Sequence, residues 1–192
     1  MNSIYLDWSS TTPICEVAKQ AILEHLNDFG NPSSSHELGR QSRVLIEDAR
    51  ERIAKCINAK PDEIYFTSGG SEANTWVLSQ YNSIAPLFEH HSAKPDIYLP
   101  VHNIRYPVPN HISGLVDPKL YTMVNHRTTD LISCMYVNNA LGTIQPIKEL
   151  AEIAHDKKMW FHTDAVQAIG HIPVDVKDIN CDTLSASGHK FG

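Results

Sequence analysis

The stretch that decides the fold is WFHTDAVQAIGHIPVDVKDINCDTLSASGHK, residues 160–190. An apolar strand pattern at 159–163 leads into Asp164, and a second strand pattern at 183–187 leads into Lys190. In open parallel sheets the ligand-binding groups lie beyond the carboxyl ends of the strands. We therefore expect Asp164 and Lys190 to face one site at that edge.

A carboxylate and a lysine in these places suit pyridoxal phosphate. The lysine amine forms a Schiff base with the cofactor, and the carboxylate keeps the pyridine nitrogen protonated so that the ring can accept electrons. Burial favours the neutral amine that this reaction needs. Taken alone, Lys190 is better explained as a surface lysine that follows a strand.

Outward from this stretch, strand and helix patterns alternate. The apolar run Leu131–Val137 predicts a buried parallel strand. A helical apolar stripe follows at Ile147, Leu150, Ala151 and Ala154. The alternation predicts an α/β fold with a mainly parallel sheet and helices on both faces.

A candidate anion site lies earlier in the chain. A strand pattern at 63–67 is followed by Ser68, two glycines and a helical pattern that begins near Ser71. Glycines let the backbone approach a ligand, and the free N–H groups and dipole of a helix N-terminus favour phosphate. Many turns between a strand and a helix contain serine and glycine, so this motif alone is weak.

The rest of the chain is predicted as follows. Residues 1–14 form an extended arm with a turn at 11–13, and helices cover about 15–28 and 36–58, the second capped by a hydroxyl of residues 33–35. Residues 80–118 contain six of the 11 prolines, so long helices are excluded there. A short strand is predicted at Ile97–Val101.

Composition excludes several functional classes. The chain has 192 residues, 42% of them hydrophobic, and a net charge of −6, without the basic patch of a nucleic-acid-binding protein. No apolar run is long enough to span a membrane, and the N-terminus lacks a secretory signal pattern. The four cysteines lie far apart, which favours buried or semi-buried free thiols in a reducing cytoplasm.

Six segments in order resemble one family. They are YLDWSSTTP at 5–13, GNPSSSHELGR at 30–40, IYFTSGGSEAN at 64–74, VNNALGTIQPI at 137–147, HTDAVQAIGHIPVD at 162–175 and SASGHK at 185–190. Together they resemble the pyridoxal-phosphate-dependent cysteine desulfurases of the class-V aminotransferase group. The resemblance implies the large domain of the PLP-dependent transferase fold.

The resemblance also implies a role for each matched residue. It gives Lys190 the Schiff base, and it gives His90 the stacking position on the pyridine ring and a part in proton transfer. Asp164 pairs with the pyridine nitrogen. The other cofactor contacts that it implies go to the ring hydroxyl oxygen, from Asn139 and Gln167, and to the phosphate, from Gly70, Ser71, Ser187 and His189.

Two departures leave alternatives open. The interval from Ser71 to His90 is shorter than in the family, so an exposed pair of histidines in a loop explains His90 equally well. Ala140 stands where the family usually has glutamate. A metal site at His90, His91, His102 and His111 has no recognisable ligand spacing.

The matched part ends directly after the lysine, and this shapes the functional expectation. Residues 15–192 correspond to an incomplete cofactor-binding large domain, and the small C-terminal domain with the catalytic cysteine loop is expected to be absent. The resemblance implies L-cysteine as substrate, a homodimer or a complementing C-terminal polypeptide, and a sulfur-acceptor protein in iron–sulfur cluster assembly. The alternatives are another class-V enzyme, such as a selenocysteine lyase, and a non-catalytic remnant or partner protein.

Overall fold

The computed structural model describes residues 4–94, 108–125 and 127–192, in which one four-stranded sheet organises the chain. Its strands are Ser83–Ile84 (β1), Leu131–Ser133 (β2), Trp160–Asp164 (β3) and Thr183–Ser185 (β4). The α-helices in these ranges are Glu16–His25 (α1), Glu37–Cys56 (α2), Gly70–Leu78 (α3), Pro118–Tyr121 (α4), Ile147–Asp156 (α5) and Val176–Ile179 (α6). Single 3₁₀ turns lie at Pro61–Glu63, His91–Ala93 and Gly188–Lys190.

All strand pairs are parallel, in the order β1-β2-β3-β4. Ile132 pairs with Phe161, and Asp164 pairs with Ser185. Parallel neighbours need a crossover, and helices α5 and α6 lie in the connections from β2 to β3 and from β3 to β4. The predicted α/β fold with a mainly parallel sheet is confirmed.

Strand β3 shows how the two faces of the sheet are covered. Successive side chains of a strand point to opposite faces. Phe161 packs in the core cluster that includes Leu150 of α5, whereas the ring of His162 bonds Asn74 of α3. Helices α5 and α3 therefore cover opposite faces, as the sequence predicts.

The main hydrophobic core lies between the sheet and α5. Phe161 and Leu150 are fully buried in it, and burying each such side chain contributes about 1.5–3 kcal/mol. The other buried members are Ile84, Val116, Tyr121, Ile132, Cys134, Ile147, Ala151, Ala154, Met159 and Ile179. This core fixes the position of β3, and hence of Asp164 at its end.

The prediction of a strand at 63–67 is wrong. Residues 61–63 form a 3₁₀ turn, and residues 64–67 belong to no strand. Tyr65 is 71% exposed and Phe66 is 51% exposed. An extended segment becomes a strand only when a neighbour pairs with it, and the described sheet ends at β1 and β4.

Sequence analysis missed strand β1 in the proline-rich region. Ser83 and Ile84 pair with Leu131 and Ile132 just before Pro86, which cannot donate to a strand ladder. The strand predicted at Ile97–Val101 lies outside the described residues. Only two residues of β1 are paired, which is too short for an alternating pattern to be recognised.

Several boundaries also differ from the predictions. β2 ends at Ser133, although the N–H groups of Cys134 and Tyr136 still donate to β3. The cap of α2 is not a serine hydroxyl, because the ring of His36 accepts the Gly39 N–H at 3.2 Å. The turn of the arm lies at 8–10, and two of the four free cysteines, Cys15 and Cys56, are exposed.

Helices α1 and α2 keep their apolar faces largely uncovered. No residue of α1 is buried, and α2 buries only Gly39 and Ala54 over 20 residues. Leu23 is 60% exposed and Val44 is 67% exposed. No helix in the described ranges is both long and apolar enough to cross a membrane.

Candidate active site

Asp164 ends β3 and lies almost fully buried at the carboxyl edge of the sheet. One carboxylate oxygen accepts the Asn74 side-chain amide at 2.7 Å, and the other accepts the Val166 N–H at 2.9 Å. Burial raises the pKa of Asp164, while these two bonds and the charges of His90 and Lys190 lower it. The carboxylate is thus fixed in place and lies within the electrostatic reach of both predicted catalytic residues.

Asn74 links Asp164 to the turn that carries His90. Its amide nitrogen also donates to Ser92 Oγ at 3.1 Å, and Ser92 Oγ lies 2.8 Å from His90 Nδ1. Sequence analysis did not assign a role to Asn74 or Ser92. Asn74 lies four residues after Gly70, one helical turn later on the same face, and this was the available signal for it.

The ring of His162 contacts the side chain of Asn74. Its Nε2 lies 3.1 Å from Asn74 Oδ1, and its Nδ1 lies 2.8 Å from Thr183 Oγ1. The Asn74 amide nitrogen donates to Asp164, so Oδ1 must accept and His162 Nε2 must carry the proton. Full burial lowers the pKa of His162 to about 4, so the ring is neutral at physiological pH.

The structure brings His90 to the site. Its Nδ1 accepts the Ser92 backbone N–H and also lies within hydrogen-bond distance of the Ser92 hydroxyl. These two contacts orient the ring. Burial, followed by the neighbouring His91, lowers the pKa of His90, and the charges of Asp164 and Lys190 also act on the ring. The shortened interval before His90 does not keep it away from Asp164, so the exposed-loop alternative does not describe this half-buried ring.

Lys190 lies against the N-terminal arm. Its Nζ donates to the backbone carbonyls of Ser9 at 2.5 Å and Ser10 at 2.7 Å. Burial lowers the pKa of Lys190, whereas the charges of Asp164 and Asp7 raise it. The net shift lowers the pKa of Lys190 and so favours the neutral amine. In this structure the N-terminal arm accepts the hydrogen bonds of that amine.

Two more predicted residues contact the arm. Gln167 Nε2 donates to the Ser9 carbonyl at 2.7 Å. His189 Nδ1 lies 3.1 Å from Thr11 Oγ1, and the His189 carbonyl accepts the Thr12 N–H at 3.1 Å. The arm therefore closes over Gln167, His189 and Lys190.

The N-terminus of α3 approaches the last strand closely. A Cβ on Gly70 would lie 2.8 Å from Val166 Cγ2 and 3.5 Å from Ser187 Cβ, so a larger residue would push these loops apart. Ser71 is exposed in the first turn of α3, where backbone N–H groups have no helical partner. Gly70, Ser71 and Ser187 thus frame one end of the site.

Asn139 lies in the turn that follows β2. It is exposed, and no side-chain hydrogen bond joins it to another described residue. Its neighbour Asn138 is buried and shapes the turn, because its Oδ1 accepts the N–H groups of Ala140 and Leu141 at 2.9 and 2.8 Å. The polar group of Asn139 is left available at the carboxyl edge of β2.

The donor set fits pyridoxal phosphate in chemistry and in layout. A buried carboxylate, a partly buried amine and a neutral imidazole act on one another at one sheet edge, while a helix N-terminus and Ser187 frame a place for an anion. A metal is less suited to this edge. Among the described residues no three or more His, Cys, Asp or Glu side chains are grouped to hold one.

Comparison with known proteins identifies the family. The family model for aminotransferase class-V matches residues 4–192. The chain belongs to this family. Class-V aminotransferases are pyridoxal-phosphate-dependent enzymes, and the resemblance predicted from the six sequence segments is thereby confirmed.

The relatives of this class-V chain are cysteine desulfurases. It is 43% identical to the cysteine desulfurase IscS of Dictyoglomus turgidum and 40% identical to that of Methanosarcina thermophila, in each case over 98% of this chain. Those alignments cover 51% and 50% of the two relatives. The class-V chain therefore spans about half the length of the curated relatives it matches.

Solved structures agree with this assignment of the class-V chain. A NifS-like protein superposes with a TM-score of 0.90 at 30% identity, covering 98% of this chain and 55% of that one. SspA in complex with cysteine gives a TM-score of 0.88 at 31% identity, covering 98% and 58%. In sequence and fold the chain is thus cysteine-desulfurase-like.

Proposed function

We propose that the chain binds pyridoxal phosphate at Lys190 and forms the cofactor-binding part of a cysteine desulfurase. The observation that supports this best is the chain of contacts from Asp164 through Asn74 and Ser92 to His90, with the Lys190 charge acting on the same carboxylate. Structural packing alone would not require three ionisable groups to converge at the carboxyl edge of a sheet.

Each residue has a defined part in holding the cofactor. Asp164 would pair with the pyridine nitrogen, and its bonds to Asn74 and Val166 fix its direction. The N–H groups of Gly70 and Ser71, with Ser187 and His189, would hold the phosphate. Asn139 and Gln167 would bond the ring hydroxyl oxygen, for which Gln167 exchanges its contact with Ser9.

When bound, pyridoxal phosphate supplies an aldehyde that condenses with amines and a ring that takes up electrons. The chain's own contribution is to position and move protons. Lys190 must release the Ser9 and Ser10 carbonyls as a neutral amine, and its lowered pKa favours this. His90 would offer a neutral ring that is held at Nδ1, and this ring would take part in proton transfer.

The test is covalent mapping of the cofactor. We expect the chain mixed with pyridoxal phosphate to develop a visible absorbance band and, after borohydride reduction, to carry the label on the Lys190 peptide in mass spectrometry. Lys190→Ala should lose both signals. Lys55→Ala, which removes an exposed lysine from the last turn of α2, is the matched control and should keep them.

Samples taken before borohydride reduction distinguish the alternative functions. Sulfide released from L-cysteine in the presence of a thiol reductant supports desulfurase activity in this chain, whereas selenide released from L-selenocysteine without sulfide release from L-cysteine supports a lyase. Label without turnover supports a cofactor-binding part that needs a complementing polypeptide. A chain that takes no label is a non-catalytic remnant, and the proposal is then wrong.

The wider setting is also part of the proposal. L-cysteine is the proposed substrate, since the SspA structure was solved in complex with cysteine and the relatives are cysteine desulfurases. We propose a cytoplasmic protein that works as a homodimer or with a C-terminal polypeptide and passes sulfur to an acceptor in iron–sulfur cluster assembly. The uncovered faces of α1 and α2 support such an assembly.

A further inference from the structure

Glu89, the residue before His90, is a buried acid that the proposed cofactor contacts do not use. It is 3% exposed, and its Oε1 accepts the Met135 N–H at 2.6 Å. Asn138 Nδ2 donates to the Phe88 carbonyl at 3.3 Å on the other side of the same turn. The turn that carries His90 is therefore fastened at two points to the segment that follows β2.

The second carboxyl oxygen of Glu89 has no hydrogen-bond partner among the described residues. This oxygen, Oε2, is buried. Burial raises the pKa of Glu89 to about 8, and the charge of Asp164 acts in the same direction. Because Oε1 accepts an N–H, the proton of the neutral acid belongs on Oε2.

The surroundings of Glu89 offer little compensation for a negative charge. Four titratable groups interact electrostatically with Glu89. They are Lys94, Tyr121, Cys134 and Asp164. The Met135 N–H and the charge of Lys94 favour a negative charge there, but burial outweighs them and the charge of Asp164 disfavours it as well. Among the described residues no cation forms a salt bridge with Glu89, so its ionised form would be a poorly compensated buried charge, which is unfavourable.

We propose that Glu89 is a positioning residue of the site, which in its uncharged form fastens the His90 turn to the end of β2 and on ionisation releases it. This inference rests on the proposed function, because it assigns the turn its use in placing His90 against the cofactor. It predicts an alkaline limit to the ordered site that belongs to Glu89 and not to His90 or Lys190.

The first test uses the chain without cofactor. The protection of the Met135 amide against hydrogen exchange, corrected for the intrinsic rate, reports the Glu89 bond directly. Because burial raises the pKa of Glu89 from its ordinary 4.5 to about 8, each pH unit between these two values costs the closed turn about tenfold in its equilibrium, and the loss is complete above about pH 8. We expect protection in the wild type to fall by about tenfold at pH 9 relative to pH 7, together with a shift of the His90 ring resonances.

Glu89→Gln is the decisive variant, because its amide keeps an acceptor for Met135 and cannot ionise. We expect its Met135 protection and His90 resonances to stay unchanged from pH 7 to pH 9. Glu51→Gln makes the same substitution at an exposed position of α2 and should retain the wild-type transition. If Glu89→Gln also retains that transition, the inference is wrong.

A second variant covers the structural anchor. Glu89→Leu removes the acceptor, so Met135 should be unprotected and the His90 resonances displaced even at pH 7. Unchanged protection in Glu89→Leu at pH 7 would equally overturn the inference. Both measurements need only the folded chain, so they decide the role of Glu89 even if Lys190 takes no cofactor and the proposed function fails.

With pyridoxal phosphate bound, the two variants should separate. Glu89→Gln should bind the cofactor as tightly as the wild type at pH 7 and more tightly at pH 9, measured by equilibrium titration of the visible band. Weaker binding by Glu89→Gln at pH 7 would show that the carboxyl acts in some way other than positioning. Loss of labelling in every chain, including the wild type, would count against the proposed function alone.

Discussion

Helices α1 and α5 have the same length, but α5 separates its apolar and polar faces more sharply than α1, and the two helices lie in opposite environments. α5 buries Ile147, Leu150, Ala151 and Ala154 against the sheet, whereas α1 buries no residue. Apolar periodicity predicts that a helix has a face to bury, but the burial itself requires a partner surface. The difference shows that α5 contributes to the hydrophobic core, while α1 presents its apolar residues at the surface.

The largest expected difference is between two leucines. Leu150→Ala should lower the free energy of unfolding by about 2–5 kcal/mol, because it leaves a cavity in the fully buried core between α5 and β3. Leu23→Ala in α1 should change it by less than about 1 kcal/mol, because that side chain is 60% exposed. Urea unfolding of both variants measures the contrast. Equal losses would mean that α1 is as well packed as α5.

The buried His162 should make the stability of the fold sensitive to acid. Its folded pKa of about 4 lies below the ordinary value of 6.5, so the unfolded chain binds the proton first as pH falls. Its contribution is complete above pH 6.5 and should decrease towards pH 4, by about 3 kcal/mol in total.

Unfolding curves between pH 7 and pH 4 test this sensitivity. His162→Gln should show a shallower dependence of stability on pH than the wild type. His25→Gln, at the exposed end of α1, serves as the control and should follow the wild type. Parallel curves for His162→Gln and the wild type would contradict the buried neutral ring.

Replacing Asn74 should lower stability less than replacing Leu150, but it should clearly weaken cofactor binding. Asn74→Ala leaves Asp164, Ser92 and His162 without their shared partner, which should cost about 1–3 kcal/mol. Asn82→Ala, which removes an exposed bond to Asp130, should cost less. Urea unfolding gives the stability, and titration of the visible cofactor band should show weaker binding for Asn74→Ala alone.

The smallest effect on stability should come from a charge on α1. Leu23→Lys adds a charge to an exposed face, so the free energy of unfolding should hardly change. It should, however, lower self-association, because it breaks an apolar patch. Sedimentation velocity over a range of protein concentrations measures the self-association. A wild-type chain that stays monomeric at every concentration would contradict this prediction.

The sequence correctly predicted those elements whose apolar pattern and packing partner lie in the same stretch of the chain. The strand predicted at 159–163 and found at 160–164, helix α5 and the approach of Asp164 to Lys190 follow from apolar runs and from the topology of parallel sheets, whereas His90 was implied only by the family resemblance. The strand at 63–67 was predicted wrongly, because its pairing depends on a neighbour that its own residues do not specify.

The polar network was the part of the site that the sequence could not supply. Asn74, Ser92 and His162 lie far apart in the chain, and their hydrogen bonds depend on how α3 crosses the sheet. Sequence analysis assigned Glu89 no role either, since a glutamate in a proline-rich region is usually exposed. The resemblance thus implied which residues would contact a cofactor, and the structure shows which buried residues bond to some of them.

The arm contacts Lys190 and Gln167 through the main-chain carbonyls of Ser9 and Ser10. Every residue type has such a carbonyl, so substitution of either serine leaves the acceptors in place. A residue inserted or deleted between positions 7 and 12 would instead shift the acceptors along the path of the chain. In related proteins positions 9 and 10 should therefore be free to vary in residue type while the segment keeps its length.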